Sequence, residues 1–132
     1  MNKRRLILFV DDDPTRQRVI KPELKKRGWI VVTVPDGKTA VEVAKSVVLD
    51  LILINMTQPE KDSFDAAKQL KELHKSFGKD VPIVAITASA VNRHPENYPT
   101  KMDDYISEPV TPDALYSVIQ KYLMQDYLGR VN

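Results

Sequence analysis

The sequence contains no cysteine, so disulfides and thiolate metal ligands are excluded at the outset. Only four glycines occur, and none stands in a Gly-x-Gly-x-x-Gly or other glycine-rich phosphate loop. That removes the common nucleotide-binding signatures. No apolar run approaches the roughly 20 residues needed to cross a bilayer, so no membrane association is expected. The opening Met1-Asn2-Lys3-Arg4-Arg5, followed by Leu6–Val10, is basic then apolar like a secretion signal. Its apolar stretch is short, however, and Asp11-Asp12-Asp13 stands where small cleavage-site residues belong, so the expectation is a cytoplasmic protein. The formal charge of +2, with basic residues spread along the chain, gives no argument for nucleic acid. His74 and His94 lie far apart without a second ligand at metal spacing, which argues against a zinc or histidine-based site.

What is present suits one soluble domain. A chain of 132 residues is in the range of a single domain, expected over residues 1–132 with a core of about 4–125. Hydrophobic residues at 42% and charged residues at 29% are enough to build a core and solvate its surface. Apolar runs at Leu6–Val10, Trp29–Val34, Leu51–Ile54, Val81–Ile86 and Tyr105-Ile106 predict five strands, and their continuity predicts burial on both faces of a parallel sheet. Helical periodicity fills the gaps over Pro14–Arg27, Lys38–Val48, Ser63–Phe77 and Thr111–Gln125. Asp13 is a plausible N-cap for the first helix and Gly28 its stop, while Pro22 predicts a kink inside it. Over Ser89–Lys101, Pro95 and Pro99 predict a short or irregular fourth helix. Alternating strands and helices imply a doubly wound α/β domain of (βα)5 type, flavodoxin-like, with a five-stranded parallel sheet.

In such a sheet ligands bind beyond the carboxyl ends of the strands, so the residues ending each apolar run carry the chemistry. These are Asp11, Asp12 and Asp13, then Asn55, Thr87 and Glu108. Phe9-Val10-Asp11-Asp12-Asp13-Pro14 resembles the acidic-pair motif of response-regulator receiver (CheY-like) domains. Leu51-Ile52-Leu53-Ile54-Asn55 with Pro59 and Asp62 resembles the phospho-acceptor strand and its loop. Ile86-Thr87-Ala88 resembles the hydroxyl position, and Asp103-Asp104-Tyr105-Ile106-Ser107-Glu108-Pro109 the strand carrying the switch aromatic and the lysine. The resemblance runs over nearly the whole chain in the right order. It implies two-component signalling, metal-binding acids at Asp11 and Asp12, and switch positions at Thr87 and Tyr105.

Two positions depart from the pattern. The acceptor is Asn55, whose neutral amide oxygen is a poor nucleophile toward phosphorus. The lysine position is Glu108; at an effective dielectric of about 20, opposite charges about 4 Å apart attract by roughly 4 kcal/mol, and reversing one sign makes this a comparable repulsion. Together they predict a pseudo-receiver that is not an enzyme, needs no cofactor and acts by binding another signalling protein: a histidine kinase, a regulator or an output protein. The alternative is a phospho-accepting receiver carrying an Asp-to-Asn lock at Asn55; a nucleotide-binding protein or enzyme on the same scaffold is a third reading, without a nucleophile–base pair to support it.

The crowded carboxylates of Asp11, Asp12 and Glu108 favour a bound cation, weak Mg2+ or Ca2+, or protonation of one of them. Otherwise Glu108 turns to solvent and the acids are a relic. Tyr105 is either frozen in one state or moves when a partner binds. Trp29 is expected partly in the core and Tyr116 at the surface, where it joins Tyr98 and Tyr105 in one aromatic face for a partner or a homodimer. Lys25-Lys26-Arg27 reads as a solvated helix end.

Overall fold

Each apolar run forms a strand. The computed structural model describes residues 4–57, 61–88 and 98–131. The elements are β1 (Leu6–Val10), α1 (Pro14–Lys26), β2 (Ile30–Val34), α2 (Gly37–Ala44), β3 (Leu51–Met56), α3 (Lys61–Ser76), β4 (Ile83–Thr87), β5 (Asp104–Ser107) and α4 (Pro112–Val131). All strand pairings are parallel, in the order β2-β1-β3-β4-β5. The continuous apolar runs follow from this, because the central strands are covered on both faces.

One apolar layer joins Leu8, Val10, Ile52 and Ile54 of the sheet to Ala40 and Ala44 of α2 and Phe64, Ala67 and Leu70 of α3. The other joins Ile7, Phe9, Leu53 and Ile86 to Ile20 and Leu24 of α1 and Leu115 and Ile119 of α4. Residues such as Ile52 and Leu53 are fully buried, and each contributes roughly 1.5–3 kcal/mol of transfer free energy.

Local signals set the boundaries. Asp13 caps α1 by accepting a hydrogen bond from Thr15 N at 2.9 Å, and Gly28 follows its end at φ +88°, a conformation that favours glycine. The helix runs unbroken through Pro22, which stands on its exposed face, where water can satisfy the carbonyl left without an N–H donor. α2 stops at Ala44, short of the expected Val48; the Ser46 N–H turns back to Val43 O, and β-branched Val47 and Val48 are left partly exposed. β3 reaches Met56, so Asn55 lies inside the strand's end rather than after it. The predicted short element over Ser89–Lys101 lies mostly outside the described residues, and its described tail, Tyr98–Lys101, is irregular.

Candidate functional site

The strand order reverses at β1, which is flanked by β2 and β3, so the crevice beyond the carboxyl ends of β1 and β3 is the natural ligand position. Asp11 leaves β1 there and Asn55 closes β3 beside it. The Asp11 side chain is fully buried. Its Oδ1 accepts from Asp13 N at 2.9 Å, from Arg16 Nη1 at 3.1 Å and from Asn55 Nδ2 at 3.1 Å, and its Oδ2 from Arg16 Nη1 at 3.1 Å. The Asn55 amide is engaged at both ends, since Oδ1 accepts from Thr57 N at 2.7 Å. Gln17 Nε2 donates to the Asp11 carbonyl.

Arg16 was not among the residues singled out from the sequence, yet it organises the site. Its Nη2 donates to Glu108 Oε2 at 3.2 Å, and its Nη1 lies 3.6 Å from Asp13 Oδ2. Burial works against its charged form, but the hydrogen bond and charge of Asp11, followed by Glu108, outweigh burial and raise its pKa. Glu108 therefore does not simply turn to solvent. A signal was present in the sequence: Arg16 sits in the first turn of a helix, where the macrodipole disfavours positive charge, so carboxylates nearby are needed to hold it.

Asp11, Asp12 and Asn55 open onto a cleft of about 620 Å3 that continues between α2 and α3 past Asp36, Gly37 and Asp62. Gly37 permits that helix pair to close, because a β-carbon there would stand 2.5 Å from Ala66 Cβ. Asp12 is exposed at the cleft mouth. Thr87 ends β4 one strand over, opposite Met56, with its hydroxyl buried and unpartnered among the described residues. Among the described residues, Glu108 joins the cluster through Arg16.

Tyr105 lies apart from the acids. It aligns with Ala85 on β4 and packs in the α2–α3 layer, its ring 6.1 Å from that of Tyr98, which in turn meets Phe64 at 5.0 Å. Met102 N donates weakly to its hydroxyl at 3.4 Å. Tyr116 does not join this group, and it is half-buried rather than exposed. It stacks on Trp29 at 5.9 Å with the Arg27 guanidinium 3.8 Å over its ring, and Trp29 belongs to the α1–α4 layer. The expected single aromatic face is thus divided between two layers of the domain, and Arg27 is a stacking partner as well as a helix end. α4 approaches Tyr105 through other residues: Tyr122 donates to Asp103 O at 2.8 Å and Lys121 pairs with Asp104 at 3.3 Å.

A doubly wound sheet with an acid pocket at its switch point, a hydroxyl on β4 and an aromatic on β5 defines a class of signalling domain. Residues 7–120 match the family model for the response regulator receiver domain, and the chain belongs to that family. It is 32% identical over 119 residues to hybrid signal transduction histidine kinase I of Dictyostelium discoideum, covering 86% of this chain and 7% of that protein. It is 30% identical to an uncharacterized 14.6 kDa protein of Leptolyngbya boryana, covering 89% of each. Among solved structures, the receiver domain of a Pseudomonas aeruginosa sensor histidine kinase, with magnesium in its active-site cleft, superimposes with a TM-score of 0.77 at 30% identity, over 91% of this chain and 98% of that one. The receiver of the Saccharomyces cerevisiae regulator Ssk1, crystallised with the phosphotransfer protein Ypd1, gives 0.78 at 27% identity, over 95% and 93%.

The residues here do not fit a divalent ion in the arrangement they adopt. Mg2+ is held by anionic and neutral oxygens with free lone pairs in octahedral geometry. Both Asp11 oxygens are engaged, Asn55 supplies no charge and a committed oxygen, and Glu108 is held by Arg16. Among the described residues no three acidic or histidine side chains are grouped to hold a metal.

Proposed function

We propose that this chain is a phosphorylation-independent receiver, a protein-interaction module of a two-component signalling system that carries out no turnover and needs no cofactor. The observation that carries this reading is Asn55, whose amide replaces the nucleophilic carboxylate and spends its two ends on Asp11 and Thr57. An amide oxygen cannot form the acyl phosphate that a carboxylate forms. Glu108 supports the same reading, because an acid where a lysine is expected repels a phosphoryl group. The partner is a cytoplasmic signalling protein, a histidine kinase, regulator or output protein; the Ssk1 receiver likewise binds another signalling protein, the phosphotransfer protein Ypd1. The surface it meets includes Tyr105 and the adjoining side of α4 near Lys121 and Tyr122, and a homodimer through this face is a second use of it.

The test is exposure of the protein to a small-molecule phosphodonor with Mg2+, read by intact mass, with beryllofluoride and amide NMR in parallel. The expected result is no adduct and no shift reaching Tyr105. An adduct on the unaltered chain overturns the reading. Asn55→Asp alone is expected to stay unmodified, because Glu108 persists, while Asn55→Asp with Glu108→Lys gains the adduct. Efficient phosphorylation of Asn55→Asp alone instead favours a working receiver with an amide lock.

A further inference from the structure

We infer that Arg16 is the resident cation of this site, its guanidinium standing in for both a divalent metal and a lysine and tying α1 to the loop after β5. The inference deepens the phosphate-independent reading by naming what holds the rim together in place of phosphate.

The charge arithmetic points this way. The Asp11 carboxylate is fully buried, and a buried charge without a counter-charge is strongly destabilising. Arg16 supplies that counter-charge at 3.1 Å to both oxygens and spends its other terminal nitrogen on Glu108 at 3.2 Å. A planar guanidinium spans two acids in this way, whereas a lysine ammonium acts as a point charge. The acid at position 108 and the cation on α1 are paired in this chain, so each offsets the charge of the other. The bridge runs from the end of β1 to the end of β5, across the rim that a phosphoryl group and its lysine would otherwise connect. Arg16 is partly shielded, its side chain 21% exposed, and Asp13 reinforces it at 3.6 Å. Helix position adds to the case: a cation in the first turn of α1 opposes the macrodipole and stays there only because three carboxylates surround it.

The test is a Mg2+ titration followed by amide and arginine side-chain nitrogen NMR on the unaltered protein, Arg16→Gln and Arg16→Lys. In the unaltered protein Arg16 is expected to show a slowly rotating, hydrogen-bonded guanidinium that Mg2+ does not release. Removing a full positive charge from a half-shielded acid cluster should tighten Mg2+ binding at Asp11 and Asp12 by at least roughly tenfold in Arg16→Gln. Arg16→Lys keeps the charge and loses the fork, so an affinity between the two is expected. Equal Mg2+ affinity in all three proteins overturns the inference. So does an Arg16 spectrum like that of a free arginine, which decides the matter even if Arg16→Gln fails to fold. Mg2+ binding to the unaltered chain as tight as to Arg16→Gln, without any beryllofluoride response, removes the Arg16 role and leaves the phosphate-independent reading standing.

Discussion

The two rims of the sheet treat their polar groups in opposite ways. At the amino-terminal rim Asp50, His74 and Asp103 are each answered. Asp50 accepts from Leu6 N at 2.7 Å and from Lys79 at 2.6 Å, with Arg5 at 3.7 Å. His74, fully buried, accepts from Leu49 N at Nε2 and faces Leu70 O with Nδ1, each at 3.0 Å, which fixes its neutral tautomer with the proton on Nδ1. Asp103 takes Ile83 N at 2.7 Å and Lys71 at 2.6 Å. At the carboxyl-terminal rim one arginine serves three acids, Asp12 stands exposed, and the Thr87 hydroxyl is buried without a partner among the described residues. The first rim is built for stability. The second keeps excess charge, and among the described residues an unanswered hydroxyl, where the fold places ligands, the pattern expected of a functional end.

The contrast is broken most severely at His74. His74→Ala leaves the Leu49 N–H without an acceptor and opens a cavity between α3 and the segment before β3. The expected loss is about 3 kcal/mol in a urea unfolding curve, combining the cavity and the unmet donor. A loss below about 1 kcal/mol would show that this rim is not the rigid one.

Acid sharpens the same comparison with a smaller effect. Burial, opposed by the Leu70 contact, holds the His74 pKa below its ordinary 6.5. The unfolded state then binds the extra proton first, so stability is full above about pH 6.5 and falls as pH drops below it. Burial alone would raise the Asp50 pKa, but Lys79 and Leu6 N outweigh it and hold it below the usual 3.8. Its contribution is present above that value and is lost lower down, as pH falls through the folded pKa. Two separate acid windows are expected, each with a slope of at most about 1.4 kcal/mol per pH unit. Stability measured against pH should lose the upper window in His74→Ala and retain the lower one.

The frame of the domain was legible because it rests on local patterns. Five apolar runs, caps at Asp13 and Thr111 and stops at Gly28 and Gly78 each encode their own element, and parallel order follows from alternation. The acids and Asn55 were legible because strand ends in a doubly wound sheet are where ligands sit. Arg16 was legible only as a cation at a helix start; which acids hold it depends on a side chain reaching back from α1 to Asp11 and across to the loop after β5, which no spacing in the chain states. Tyr116 failed for a related reason: its partners, Trp29 and Arg27, are remote in sequence, and aromatic content does not reveal which side of the sheet a ring covers.

The smallest predicted effect is opposite in sign and tests the carboxyl-terminal rim. A buried hydroxyl without a partner has lost its water bonds and gained nothing in return, a cost of roughly 1–3 kcal/mol in mutational series. Valine has nearly the shape of threonine, with a methyl group where the hydroxyl stood. Thr87→Val should therefore leave the packing at the end of β4 unchanged while removing a polar atom unmet among the described residues, and β-branching suits both residues to the strand. The expected result is a gain of about 1 kcal/mol in unfolding free energy, read as a higher urea midpoint with an unchanged slope. The same exchange at a hydroxyl that is hydrogen-bonded would cost stability, so the sign alone is informative. A loss on Thr87→Val would mean that the hydroxyl has a partner in solution, and the rim would then be as fully satisfied at this point as the opposite one.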